Sequence, residues 1–239
     1  MKKALVTGGS GIIGSAICEA LANEGLHVLV HANENLDRAK QVVEKIHSAG
    51  QSAETACFDV SDHKATSHHL DNILESGPVQ VLVNNAGIYD DATMAGMSSE
   101  QWDRVIQTTL NGFFNVTHPL LLPMIRSRWG RIISISSITG VAGNRGQTNY
   151  AAAKSGLHGA SKSLSKEVAS RGITVNVVAP GIIQSPSTDE HFSDTDVKNL
   201  IPMKRRGTPQ EIADVVVFLA SKKASYISGQ ILNVNGGMC

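Results

Sequence analysis

Short apolar runs alternate with longer segments of mixed polarity along the whole chain. Ala4-Leu5-Val6-Thr7, His27 to His31, Ser52 to Phe58, Val79 to Val83, Arg131 to Ser136, Ile173 to Val178 and Gln230 to Val234 read as strands. The segments between them read as helices: Ser15 to Asn23 with a stop near Gly25, Leu36 to Ala49 ending at Gly50, and His63 to Glu75. Ser99 to Arg126 is a longer helical stretch, which Pro119 and Pro123 are expected to bend or break. A helix carrying Tyr150 runs to about Ser170, and a last one lies near Pro209 to Ala220.

Strand and helix alternating at this spacing predict an α/β fold, a mostly parallel, doubly wound sheet of about seven strands flanked by helices. Crossovers should be right-handed. No repeat or linker divides the chain, so residues 1–239 are expected to form a single domain. The least regular stretch, Gln184 to Thr208, is rich in Ser, Asp, Thr and Pro and reads as a lid over a site. Apolar residues make up 41% of the chain but aromatics only 4%, so the core must be aliphatic and alanine-rich. Lys plus Arg (21) balance Asp plus Glu (21), which gives no overall pull toward nucleic acid or an anionic membrane. The apolar run after Met1-Lys2-Lys3 is only four residues long, too short for a signal-peptide core or a membrane span. Cys18, Cys57 and Cys239 are widely spaced without a CxxC, and the histidines are scattered rather than set at metal-ligand spacing. The expectation is a cytoplasmic protein without a structural metal.

The candidate chemistry sits late in the chain. Tyr150 and Lys154 flank three alanines, and on a helix their spacing puts phenol and ammonium on one face. A neighbouring positive charge favours phenolate and should lower the phenol pKa toward neutrality, as suits a general acid. Ser137 closes the fifth strand, which would bring its hydroxyl to the carboxyl edge of the sheet.

Other pieces fall at strand ends on that same edge, where ligands of open α/β sheets bind. Thr7-Gly8-Gly9-Ser10-Gly11-Ile12-Ile13-Gly14 joins the first strand to the first helix; its glycines admit a pyrophosphate against a helix N-terminus. Asp59 can accept from an adenine amino group, Asn84-Asn85-Ala86-Gly87 can line a ribose, and Pro180-Gly181-Ile182 can turn backbone against a nicotinamide. Taken singly, Asp59 reads as well as a helix cap, and the others as plain turns. Together they point to a dinucleotide site.

Over its whole length the chain resembles the short-chain dehydrogenase/reductases. The resemblance is carried by Thr7-Gly8 to Gly14, Asp59-Val60, Asn84 to Gly87, Ser137, Tyr150 to Lys154 and Pro180-Gly181. Within that family it is most similar to 3-oxoacyl-[acyl-carrier-protein] reductases, through Glu167 to Gly181 and the ending Val234-Asn235-Gly236-Gly237-Met238. The resemblance implies a Rossmann-type domain and hydride transfer to a ketone carbon. Tyr150 would protonate the alkoxide, Ser137 would bond the same oxygen, and Lys154 would depress the Tyr150 pKa and bind the nicotinamide ribose. The implied cofactor surface comprises Gly8, Ser10, Gly11, Ile12, Ile13, Gly14, Asn33, Asp59, Val60, Asn85, Ala86, Gly87, Tyr150, Lys154, Pro180, Gly181 and Ile183.

Two positions depart from the family pattern. Thr109 occupies the place of the usual proton-relay Asn, and Asn111, two residues on, points elsewhere on a helix. Ile12 replaces the middle glycine, so Gly11 is expected to absorb backbone strain. His31-Ala32-Asn33 offers no carboxylate at the end of the second strand, which favours NADPH over NADH. Arg128 and Arg171 fall where the resembling reductases hold an acidic acyl carrier protein, and the resemblance also implies a homotetramer. Two other readings stay open: a reductase or dehydrogenase of a free small alcohol or CoA thioester, and a catalytically weak scaffold of the same fold.

Overall fold

The computed structural model describes residues Met1–Cys239. Its seven strands are β1 (Lys3–Val6), β2 (His27–Ala32), β3 (Ala53–Cys57), β4 (Val79–Asn84), β5 (Gly130–Ile135), β6 (Ile173–Pro180) and β7 (Ile231–Val234). They form one sheet in the order β3-β2-β1-β4-β5-β6-β7, parallel at every pairing. The order makes it a doubly wound, Rossmann-type sheet: β2 and β3 extend it one way from β1, and β4 to β7 the other.

Alternation along the strands divides the core into two layers. Ala4 and Val6 of β1 share one apolar cluster with Ile17 and Leu21 of α1 (Ile12–Asn23), Ile46 of α2 (Leu36–Ser48) and Val216 of α10 (Pro209–Ala220). Leu5 faces the other way, toward Leu70 of α3 (His63–Glu75), Val116, Leu120 and Met124 of α5 (Gly112–Ser127), and Val168 of α7 (Thr148–Val168).

Three local expectations are corrected. Pro119 and Pro123 lie inside α5 without breaking it. Each removes a backbone donor, at a cost of about 3 kcal/mol. Val116, Leu120 and Met124, fully buried one turn apart, offset it, at about 1.5–3 kcal/mol per buried side chain. The irregularity lies instead at Gln107–Asn111, a π-helical turn between α4 (Ser99–Ile106) and α5. Residues 184–208 are not a plain loop: they hold α8 (Pro186–His191) and α9 (Asp194–Leu200). Both begin with a reciprocal cap, Ser185 with Thr188 and Ser193 with Asp196. Ser137, finally, lies beyond the last ladder residue Ile135 and caps the short α6 (Ile138–Ala142).

Candidate active site

Parallel strands bring the carboxyl ends of β1, β4, β5 and β6 to one edge, and a crevice opens between β1 and β4 where the winding reverses. Thr7 joins the two sides of that crevice. Its Oγ1 accepts from Asn85 N–H and Ala86 N–H, both at 2.9 Å. Asn85 Nδ2 in turn donates to the Thr7 and Gly8 carbonyls at 2.9 and 3.1 Å. Sequence reasoning placed Thr7 in the motif but gave it no role; a hydroxyl at the last turn before glycine was the available signal.

The glycine-rich turn is dense. Gly8 has φ +61°, and a Cβ on Gly14 would stand 2.2 Å from the Gly8 carbonyl oxygen, so both positions require glycine. The expected strain at Gly11 is absent: its φ is −79°, and Ile12 simply opens α1 in helical conformation. Side chains cap α2, α3 and α4 (Asn35, Asp62 and Ser98), whereas Gly11 gives the first turn of α1 no side-chain partner. Backbone donors of Ile12, Ile13 and Gly14 beside a turn with no room for a Cβ suit a diphosphate. Ser10 sits half-buried in the same turn.

At the expected adenine end Asp59 is exposed and keeps Oδ2 open. Asp59 Oδ1 is already engaged, accepting from Ser61 N–H at 2.8 Å and Ser61 Oγ–H at 2.7 Å. The Val60 carbonyl accepts from Asn115 Nδ2 at 2.9 Å, which fixes the turn against α5. Asn33 is exposed just past β2, and its carbonyl accepts from the Cys57 thiol. At the other end Gly181 N–H bonds the Val234 carbonyl at 2.9 Å, following Pro180, the last residue of β6. Ile183 bridges to Gly207 and closes the base of the α8–α9 segment.

Tyr150 and Lys154 both lie on α7, whose first turn is pinned by Asn149, fully buried and donating to the Asp90 and Gln101 carbonyls. Lys154 Nζ stands 5.5 Å from the Tyr150 ring centroid. It donates to the Ile135 carbonyl at 2.8 Å, and burial lowers its pKa to about 8. The expected depression of the Tyr150 pKa is not found. Burial pushes the phenol up, the Ser137 hydroxyl pulls against it, and Asp91 and Tyr89 push it further up. Tyr150 is thus a protonated phenol at neutral pH. Ser137 Oγ accepts from Thr139 N–H at 3.1 Å.

Behind this pair Thr109, 3% exposed, turns inward from the π-helical segment. Its Oγ1 has no hydrogen-bond partner. A Cβ on Gly87 would meet Lys154 Nζ at 3.1 Å and Thr109 Oγ1 at 3.3 Å, so an ammonium and an unpaired hydroxyl converge over that glycine. Asn111 is spent on Gln107 instead. His158, one turn beyond Lys154, was missed. Its Nε2 is 2.7 Å from Ser136 Oγ, which also donates to the Lys154 carbonyl at 3.2 Å. The recurrence of Tyr150, Lys154 and His158 every four residues was the signal for it.

Arg128 and Arg171 are exposed and adjacent, with Arg128 Nη2 donating to the Ser170 carbonyl at 3.3 Å. They precede β5 and β6, and so stand at the amino edge, opposite Ser137. Arg131 is no part of that surface: it is buried, bonded to the Gly130, Gly172 and Ser221 carbonyls.

The family model for short chain dehydrogenases matches residues 2–196. The chain is 43% identical over 237 residues to a 3-oxoacyl-[acyl-carrier-protein] reductase of Aggregatibacter actinomycetemcomitans, covering 98% of each chain. It is 43% identical over 240 residues to nodulation protein G of Azospirillum brasilense, covering 99% of this chain and 98% of that one. A 3-oxoacyl-[acyl-carrier-protein] reductase of Staphylococcus aureus strain N315 is 44% identical over 240 residues, with the same coverage.

Proposed function

Because this chain belongs to the short chain dehydrogenase family, we propose that it is a 3-oxoacyl-[acyl-carrier-protein] reductase. It is an NAD(P)-dependent oxidoreductase that converts a 3-oxoacyl thioester to the 3-hydroxyacyl form in fatty-acid synthesis. The observation that carries the reading is a protonated, half-buried phenol beside an ammonium and a hydroxyl, on the sheet edge that also holds the glycine-rich turn.

The turn at Gly8 to Gly14 would hold the diphosphate, Asn85 to Gly87 the ribose, and Pro180 to Ile183 the nicotinamide. A bound nicotinamide supplies the hydride. Tyr150 holds its proton at neutral pH, the form required of an acid that meets a carbonyl oxygen as it gains charge. Ser137 Oγ donates to the same oxygen and stabilises that charge. Lys154 keeps two N–H groups beyond its bond to Ile135; they serve ribose hydroxyls, and its charge stabilises the phenolate left after transfer. The Thr109 hydroxyl holds a water that resupplies the proton. The α8–α9 segment, whose Ser187 Oγ lies 3.4 Å from Tyr89 Oη, forms the lid over the acyl chain.

Asn33 supports NADPH over NADH, since no carboxylate stands at that position to repel a 2′-phosphate. Arg128 and Arg171 support docking of an acidic carrier protein at the amino edge. A carrier seated there serves the active site of another copy, in keeping with a homotetramer. No helix is long and apolar enough to cross a membrane, and the reading places the enzyme in the cytoplasm. The test is oxidation of NADPH and NADH with acetoacetyl carrier protein, acetoacetyl-CoA and a free small ketone. The reading predicts the highest kcat/KM for the carrier substrate with NADPH, and a raised KM for that substrate alone when Arg128 and Arg171 become Glu. Equal activity on free ketones, or equal losses on both in the double variant, would overturn it.

A further inference from the structure

The glycine-rich turn is held from behind by a side chain that the reaction does not use. His31 lies near the carboxyl end of β2 with 2% of its surface exposed. Gly8 N–H donates to its Nδ1 at 3.0 Å, and its Nε2 lies 2.8 Å from the Phe58 carbonyl oxygen. An amide N–H can only donate and a carbonyl can only accept, so one tautomer alone satisfies both: Nδ1 bare, Nε2 protonated. The ring is neutral, and burial lowers its pKa to about 4. The charged or titratable groups that bear on it are Asp59, which favours the imidazolium, and His69 of α3, which opposes it. The ring also packs on Phe58, with centroids 4.3 Å apart, and Phe58 packs on His69 at 5.5 Å.

These contacts join three strand ends. Gly8 follows β1, His31 belongs to β2, and Phe58 follows β3 immediately before Asp59-Val60. Gly8 lies beyond the end of β1 with a left-handed backbone, and it gives its N–H to His31. One imidazole therefore spans the turn read as the diphosphate cradle and the turn read as the adenine wall. We propose that His31 is a positioning residue for the dinucleotide: by accepting from Gly8 and donating to Phe58 it fixes the separation of the two turns, and so sets cofactor affinity rather than turnover. The proposal rests on the reading of Gly8 to Gly14 as the cofactor turn.

Three variants separate hydrogen bonding from packing. His31→Asn keeps an acceptor close to the Nδ1 position, His31→Gln keeps a donor close to Nε2, and His31→Leu removes both. NADPH dissociation constants are measured by fluorescence titration, and kcat at saturating NADPH and acetoacetyl carrier protein. Each variant breaks the span at one end or both, so all three should weaken NADPH binding, His31→Leu about tenfold and the two amides by less. Their kcat should stay within about twofold of the parent. If His31→Leu does not fold, His31→Asn and His31→Gln make the same test. Parent-like affinity in His31→Asn or His31→Gln, or a fall in kcat at unchanged affinity, would overturn the proposal. A parent that binds neither NADPH nor NADH would overturn the cofactor reading of the turn itself, and His31's role with it.

Discussion

Two glycines on two helices make a matched test of the site's packing. Gly14 in α1 and Gly159 in α7 both have ordinary helical backbone, so replacing either by Ala brings the same propensity gain of about 1 kcal/mol. Their surroundings differ. A Cβ on Gly159 meets nothing within 4 Å, whereas one on Gly14 would lie 2.2 Å from the Gly8 oxygen, 2.9 Å from the Gly8 carbonyl carbon and 2.9 Å from Gly9 Cα. All three are backbone atoms, so no side chain can rotate away, and the turn must move by about 1 Å. Overpacking of this kind typically costs about 1–3 kcal/mol, and contact with backbone puts Gly14→Ala at the upper end. After the propensity gain the net loss is about 2 kcal/mol, and for a chain of this size 1 kcal/mol shifts Tm by about 2–4 °C. Gly14→Ala should therefore melt about 4–8 °C below the parent and Gly159→Ala about 2–4 °C above it. The displaced atoms are those of the turn proposed to hold the diphosphate, so Gly14→Ala should also bind NADPH about tenfold more weakly while Gly159→Ala binds normally. Thermal unfolding followed by circular dichroism, with NADPH titration, reads both. If Gly14→Ala matches the parent in Tm and affinity, the turn is not the tight cradle argued above.

Other residues give sharper chemical readouts. Lys154 has a pKa of about 8, and raising the pH through that value removes its positive charge. The kcat/KM for ketone reduction should hold below pH 8 and fall above it, approaching tenfold per pH unit; a plateau to pH 10 would show that the ammonium is not needed. Thr109→Val removes a hydroxyl that no protein group uses, so Tm should be unchanged or higher. In the proton-resupply role kcat should still drop at least tenfold, and unchanged kcat would leave the hydroxyl without that role.

The strand–helix alternation was legible because each strand is a compact apolar run with its own turn signal, and the sheet order followed from the parallel winding. What stayed hidden depended on tertiary contacts. Pro119 and Pro123 read as breakers, yet Val116, Leu120 and Met124 bury one face so fully that α5 persists. The α8–α9 helices lie in a polar stretch with few apolar residues to betray a period, although their Ser-x-x-Thr and Ser-x-x-Asp caps were there to read. Spacing put Tyr150 and Lys154 on one face but could not say where a four-carbon side chain would reach; the free Ile135 carbonyl decides that. The engagement of one Asp59 oxygen by Ser61 could not be read from spacing, and it leaves Oδ2 open. His31 carried no local signal, since its partners are 23 and 27 residues away.

The central claim is that Tyr150 gives its proton to a 3-oxoacyl oxygen, and the most direct measurement compares the parent with Tyr150→Phe. NADPH oxidation with acetoacetyl carrier protein is followed in both, alongside NADPH binding. The account predicts turnover in the parent and at least a hundredfold loss in the variant, with NADPH still bound. Turnover that survives in Tyr150→Phe with the cofactor bound as tightly would contradict it.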